Sequence, residues 1–278
     1  MSSELVLYEV VDGIGIITLN RADKANAQTP QMLDELHAQF MRAADDRDVR
    51  VIVLQANGKH FSAGHDIQGA ADDAATGDDA ANHRVDFSVD GLMGIYEWET
   101  KRYIGYSRQW RDIRKPTIAA VQGSCIAGGL LLCWPMDIII AADNAKFSDP
   151  VVRMGIGGVE YHAHTWEVGP RKAKEWLFTA SVFTADQAAQ LGMVNHVVPL
   201  DELRTFTMAM AARIAEMHPF ALAQAKRAVN QTQDIQGFYT ALQSVFDIHQ
   251  TGHGNALAVN GFPILVGLEQ MKKTNQQG

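Results

Sequence analysis

Residues 115–130 read KPTIAAVQGSCIAGGL. A short apolar run rich in β-branched residues, Thr117 to Val121, gives way through Gly123 to a pair of glycines, Gly128 and Gly129, and then to an apolar stretch opening at Leu130. This order predicts a buried strand, a tight loop and the first turn of a helix, whose leading N–H groups have no partner inside the helix. A second stretch of this kind lies upstream: KHFSAGHDI at 59–67 ends a strand in small residues before a helical start. Two such loops, brought together, could form one pocket whose walls donate backbone hydrogen bonds.

The surrounding chain repeats the pattern. VRVIVLQA, PTIAAVQG, MDIIIAAD and MVNHVV are short β-branched runs, each leading into a turn or helix signal. Such alternation predicts an α/β architecture with its site on the loops after strand ends. LVLYEVV and IGIITLN flank Asp12-Gly13, a dipeptide suited to a tight hairpin turn. Thr29-Pro30 predicts a helix start, with Leu33, Leu36 and Phe40 on one face. Thr184 with Gln187 predicts a capping box. From about residue 201 the chain reads as helices: one over 201–217 broken by His218-Pro219, then amphipathic stretches near 219–231 and 235–250. The expected division is a core over 1–200 and a helical region over 201–278. Residues 69–94, rich in Gly, Ala and Asp, read either as an excursion over a site or as a disordered acidic loop. The aromatic run Tyr96, Trp98, Tyr103, Tyr106 and Trp110 predicts a helix with a packed face.

A formal net charge of −8 over 278 residues excludes the concentrated positive field that nucleic-acid binding requires. No segment offers the ~20 apolar residues of a bilayer span, and no signal peptide is recognised at the start, so no membrane partner and a cytoplasmic location are expected. Cys125 and Cys133 form no C-x-x-C pair and are expected to be buried thiols.

Five motifs in order, NRADKANA at 20–27, FSAGHDI at 61–67, KPTIAAVQGSCIAGG at 115–129, MDIIIAADNAKFSDP at 136–150 and TADQAAQLGMVNHVVP at 184–199, carry a resemblance to the crotonase superfamily, also called the enoyl-CoA hydratase/isomerase family. The resemblance runs from about residue 5 to about residue 231. It implies a crotonase-like spiral of ββα turns, assembly into a homotrimer or a dimer of trimers, and an acyl-CoA thioester substrate, with coenzyme A entering as part of that substrate and no separate cofactor. It also implies an oxyanion hole made by the backbone N–H groups of His65 and Gly128. Lys24, Ala25, Asn26, Ala63, His65, Asp66, Ile67 and Gln68 would line the coenzyme A channel. An enolate, formed as a thioester loses an α-proton or is attacked at its β-carbon, is the species such donors stabilise.

The chain departs from the family at two positions. Where its hydratases carry a pair of glutamates, this sequence has Leu131 and Val151, and an apolar side chain moves no proton. Glu160, in GGVEYH, is the nearest replacement, read as lying at a helix N-terminus where the dipole would favour its anion. His164 and Glu167 follow at helical spacing and would share its face; without a metal-ligand motif, that face reads as ordinary charge and no metal is expected. The imidazole of His65 is read as an ordinary hydrogen-bonded side chain that could point away from the pocket, and Asp66 as a helix cap. His83, Tyr96, Glu97 and Tyr103 are further pocket candidates, each read as structural. The expected activity is hydration or dehydration of an enoyl-CoA in fatty-acid metabolism. Double-bond isomerisation or other enolate chemistry at Glu160, and binding without chemistry, are its alternatives.

Overall fold

The computed structural model describes residues 4–66 and 91–267. Asp12 and Gly13 both take positive φ, 49° and 77°, and turn the chain between β1 (Val6–Val11) and β2 (Ile14–Leu19) as an antiparallel hairpin. From β2 onward every step across the larger sheet is parallel. β3 (Val51–Ala56) pairs with β2, β4 (Thr117–Val121) with β3, β6 (Ile138–Ala142) with β4 and β9 (His196–Val198) with β6, giving the order β1-β2-β3-β4-β6-β9. A smaller sheet joins β5 (Ser124–Ile126), β7 (Lys146–Ser148) and β8 (Val182–Thr184).

Parallel strands need covering on both faces, and here alternate residues face two separate cores. Ile17, Leu19, Ile52, Leu54, Ala119 and Val121 point into the larger core, while Ile14, Ile16, Val51, Val53, Ile118 and Ala120 point into the second. The larger is closed by α1 (Pro30–Asp45), which presents Leu33, Leu36 and Phe40 and is capped as expected, Thr29 Oγ1 accepting from Met32 N at 3.2 Å.

Beyond the segment that lies outside the described residues come α2 (Leu92–Glu99), a π-helical stretch Thr100–Gly105 and α3 (Tyr106–Arg111). The aromatic run is therefore helical, with Tyr103, Tyr106 and Trp110 buried. The remaining α-helices among the described residues are α4 (Leu130–Cys133), α5 (His164–Val168), α6 (Pro170–Thr179), α7 (Ala185–Gln190), α8 (Leu203–Ala215), α9 (Pro219–Ile235) and α10 (Phe238–Asn260). The Thr184–Gln187 capping box at α7 is present. Helix α8 supplies Leu203 and Ala211 to the second core. Helix α10 runs ten residues past the end at 250 that periodicity suggested, because its last turns bury His253 and Ala256. The architecture is the expected α/β fold with a helical C-terminal region. Cys125 and Cys133 are free and buried, their sulfurs 3.8 Å apart.

Candidate active site

The two glycine-bearing loops meet where β4 ends. Phe61 N donates to Gln122 O at 2.8 Å, Ser62 N to Ser124 O at 3.1 Å and Ile126 N to Ser62 O at 3.0 Å, so residues 61–62 run as an added strand along β5. A third segment joins from the other side. Ala63 N donates to Ala25 O at 2.9 Å, Gln28 N to Gly64 O at 2.8 Å and Asp66 N to Gln28 O at 2.9 Å. Ser62 Oγ knots the three together, donating to Asn26 O at 2.9 Å and lying 3.2 Å from both Gly64 N and Gln28 Nε2. Gln28 Nε2 also donates to Gly128 O at 2.8 Å.

The approach is close enough to require glycine. Gly64 has φ +89°, and a Cβ there would meet Ile126 O at 2.8 Å and Gly128 N at 3.1 Å. A Cβ at Gly128 would fall 2.6 Å from Cε1 of His65. The expected oxyanion-hole residues, His65 and Gly128, are thus neighbours in space.

The imidazole of His65 does not point away from this centre. It stacks on Tyr103, ring centroids 3.9 Å apart, and its Nε2 lies 3.3 Å from Oε2 of Glu160. The side chains of both partners are almost sealed from solvent, at 5% and 3% exposure. The six-residue π stretch, wider than an α-turn, carries Tyr103 to this position.

Glu160 is not at a helix N-terminus. Residues 159–163 form a non-helical connection, and α5 begins only at His164. The carboxylate is fixed instead by tertiary contacts. Burial alone would raise it, yet the His65 imidazole, helped by His249, overcomes burial and holds it below the ordinary glutamate range. Nor do His164 and Glu167 share its face. His164 is buried against Asp149, Nε2 to Oδ2 2.9 Å, between Trp134 and Trp176. Glu167 lines a separate cavity with Arg111, Tyr161 and Lys226, where burial pushes its carboxyl up to about 8.

The other expected residues are placed as follows. Ala25 and Asn26 take left-handed backbone conformations, and the buried Asn26 amide is spent on Asn57 O and His60 O, so it shapes the loop from within. Lys24 and Ala63 are exposed beside it. Asp66 pairs with Arg21 at 2.6 Å. Leu131 is packed into the larger core, whereas Val151 lines a cavity of about 20 Å³ with His65, Val159, Glu160, His249 and His253. Tyr96 hydrogen-bonds Asp247 at the surface and Glu97 is exposed, while Tyr103 walls the site. Ile67, Gln68, His83 and residues 69–90 of the acidic stretch lie outside the described residues.

Sequence reasoning missed a second buried polar group. Glu99, at the end of α2, meets His249 and His253 of α10 behind Glu160; His249 Nε2 is 3.4 Å from Glu99 Oε2 and 3.8 Å from Glu160 Oε1. Burial opposes the charge on His249, but Glu99 and Glu160 overcome it and raise the imidazole to about 9. The only local signal was the i, i+4 spacing of the two histidines. Chemically, the centre pairs a sealed carboxylate with an imidazole, able to share and hand on one proton beside backbone that could polarise a carbonyl.

A model of the enoyl-CoA hydratase/isomerase family matches residues 9–254. The chain is 58% identical to the crystal structure of a probable enoyl-CoA hydratase from Mycobacterium smegmatis, with a TM-score of 0.87, covering 95% of this chain and 100% of that one. It is 60% identical to a probable enoyl-CoA hydratase from Mycobacterium thermoresistibile, TM-score 0.85, over 93% and 100% of the two chains. An enoyl-CoA hydratase/isomerase from Xanthobacter autotrophicus Py2 is 29% identical, TM-score 0.81, over 94% and 95%.

Proposed function

The chain belongs to the enoyl-CoA hydratase/isomerase family, and on that premise we propose that it hydrates 2-enoyl-CoA thioesters, or dehydrates the 3-hydroxyacyl products, in fatty-acid metabolism. The observation carrying this reading is the His65–Glu160 contact of 3.3 Å, buried beside Gly128. The thioester oxygen is received by the N–H groups of His65 and Gly128, which favour the enolate as charge moves onto it. Water adds its hydroxyl to the β-carbon and yields a proton to Glu160. That proton then passes to the α-carbon as the enolate collapses, so the net change is one water added. Lys24, Ala25, Ala63 and Asp66 border the coenzyme A channel, and no resident cofactor is needed for this step.

One observation favours a second reading, double-bond isomerisation. Among the described residues lining the cavity beside His65, Glu160 is the only carboxylate, and Val151 stands where the family's hydratases carry another. A single acid–base group suffices to move one proton from the γ- to the α-carbon. Turnover of a chain-length series of 2-enoyl- and 3-enoyl-CoA thioesters, followed by ultraviolet absorbance and product mass, separates the possibilities. Gain of one water's mass supports hydration. A shift of the double bond at constant mass supports isomerisation, and binding with neither change overturns both in favour of a binding protein.

The homotrimer or dimer of trimers belongs to the same proposal. Helix α9, in the helical region from residue 201, buries none of its residues within the chain and exposes Phe220, Val229 and Ile235. Exposed apolar side chains such as these are suited to burial against a neighbouring subunit. A cytoplasmic location is supported by the unbridged cysteines. Among the described residues no helix is long and apolar enough to cross a membrane.

A further inference from the structure

Glu99, His249 and His253 are 1%, 4% and 3% exposed, a carboxylate and two imidazoles withdrawn almost wholly from water. The outer nitrogens settle the tautomers. His249 Nδ1 lies 2.7 Å from Gly158 O, and His253 Nδ1 lies 2.7 Å from Pro263 O. A carbonyl oxygen has no proton to give, so each Nδ1 donates, and each neutral ring therefore presents a lone pair at Nε2. Those two Nε2 atoms face each other at 3.1 Å. Both carboxylate oxygens of Glu99 face the pair, Oε2 3.4 Å from the first nitrogen and Oε1 3.5 Å from the second, and one donor atom from each of the three residues lies within 4.8 Å of the other two. Without a proton on His249, three electron-pair donors would converge in a buried space, so a cation must lie among them, either the proton that Glu99 and Glu160 favour on His249 or a metal ion in its place.

A shared proton would bind one pair tightly and leave the third donor aside, and its charge-assisted bonds would be about 2.7–2.9 Å long. The nearest separations here, 3.1 Å between the imidazoles and 3.4 and 3.5 Å to the two Glu99 oxygens, are all longer. A metal with bonds of about 2.0–2.1 Å at tetrahedral angles sets its ligands about 3.3–3.4 Å apart, close to the imidazole–imidazole and imidazole–carboxylate separations found here. The surroundings match as well. Each imidazole gives its other N–H to a backbone carbonyl, and Gln250 Nε2 donates to Glu99 Oε2 at 2.7 Å, the outer contacts by which proteins orient metal ligands. The histidines are four residues apart on one helix, so they project from the same face.

We propose that Glu99, His249 and His253 bind a divalent transition-metal cation, zinc by preference, as three protein ligands of a tetrahedral site. Two imidazoles and one carboxylate select zinc over magnesium or calcium, which take oxygen-rich sets. The cavity of about 20 Å³, which both histidines line with His65 and Glu160, has room for one water as the fourth ligand. The ion pins the end of α2 to α10 and balances two carboxylates buried close together. This departs from the absence of a metal expected from the sequence. The site stands on its own geometry, whether or not the thioester reading holds.

The test uses tag-free, full-length protein stripped with a chelator and titrated with zinc by calorimetry and with cobalt(II) by visible absorption. One equivalent per chain is expected, with the intense cobalt bands of tetrahedral coordination and a rise in melting temperature on adding zinc. His253→Gln and Glu99→Gln are each expected to lose those bands and to weaken zinc binding by about a hundredfold or more. Stripped, folded wild type that takes up neither ion overturns the proposal and leaves a proton-sharing histidine pair. Uptake undiminished in both variants overturns it equally, by placing the ion elsewhere. If the variants fail to fold, the wild-type cobalt spectrum decides: tetrahedral bands at one equivalent support the site, and octahedral bands or none overturn it.

Discussion

His65 Nε2 and Glu160 Oε2 meet at 3.3 Å although 95 residues separate them in sequence. The contact is held from both ends. The His65 ring lies flat on Tyr103 and against Gly128, and Glu160 follows Val159, whose N–H is anchored on Asp149 Oδ2 at 2.9 Å. An imidazole so constrained has little freedom to leave its carboxylate, so the pair acts as one proton-holding unit beside the backbone of Gly128.

Glu160→Gln removes the acid–base group while keeping its size and one acceptor oxygen. If Glu160 carries the proton, kcat on the active enoyl-CoA should fall by about 10²–10⁴-fold with KM changed only a few-fold. Steady-state kinetics of the two proteins, with calorimetric binding of a saturated acyl-CoA, check this. Turnover within a few-fold of wild type would remove Glu160 from the chemistry.

Gly128→Ala tests the packing of the same centre. The added methyl would stand 2.6 Å from His65 Cε1, and the ring cannot yield without losing Tyr103 or Glu160. Turnover should drop at least about tenfold, because displacing a positioned group by about 1 Å is enough to cost that much. Helical circular dichroism should be retained. Unchanged kinetics would mean that the ring position is unimportant.

What could be read from the sequence divides along the range of the interactions. The Asp12-Gly13 hairpin, the Thr29 cap and the Thr184–Gln187 box depend on residues within a few positions of each other, and each is present in the fold. The meeting of the 61–66 and 123–129 loops was legible because two strand-to-glycine patterns imply parallel neighbours. Glu160 was found as a residue but misplaced: the helical spacing of Glu160, His164 and Glu167 suggested a shared helix face, yet the chain is non-helical until His164. Burial against His65, not a helix dipole, sets its charge. Glu99 with His249 and His253 spans some 150 residues, and nothing local at either end announces the other.

Asp149 is predicted to be a positioning residue for Glu160. It is fully buried, pairs with His164 at 2.9 Å and accepts from Val151 N at 3.3 Å and Val159 N at 2.9 Å. Asp149→Asn gives up the charge and one of the two acceptor oxygens, and leaving buried polar groups without their partner costs about 1–3 kcal/mol. Urea unfolding should show that loss. At temperatures where the variant remains folded, kcat should also fall more than substrate affinity, since the segment leading into Glu160 is released. Loss of stability with full turnover would confine Asp149 to the fold.

Glu167 makes stability depend on pH in a direction opposite to most carboxylates. Burial in the cavity beside Tyr161 raises its folded pKa to about 8 from an ordinary 4.5, so between those values the folded state holds a proton that the unfolded state has released. Stability contributed by the protonated group is therefore intact at about pH 4.5 and is lost as pH rises towards 8, where the folded carboxyl must ionise as well. Arg111 and Lys226 line the same cavity, and Lys226 is held by Asp137 at 2.9 Å, which limits how far its charge can offset the cost. Glu167→Gln keeps the shape and cannot ionise. The difference in unfolding free energy, variant minus wild type, should therefore grow steadily in favour of the variant from pH 5 to pH 8 and level off above it. Urea titrations of both proteins at pH 5, 6.5, 8 and 9 measure this directly. A difference that stays constant across the series would show that Glu167 ionises near its ordinary value and that the cavity is wetter than its lining suggests.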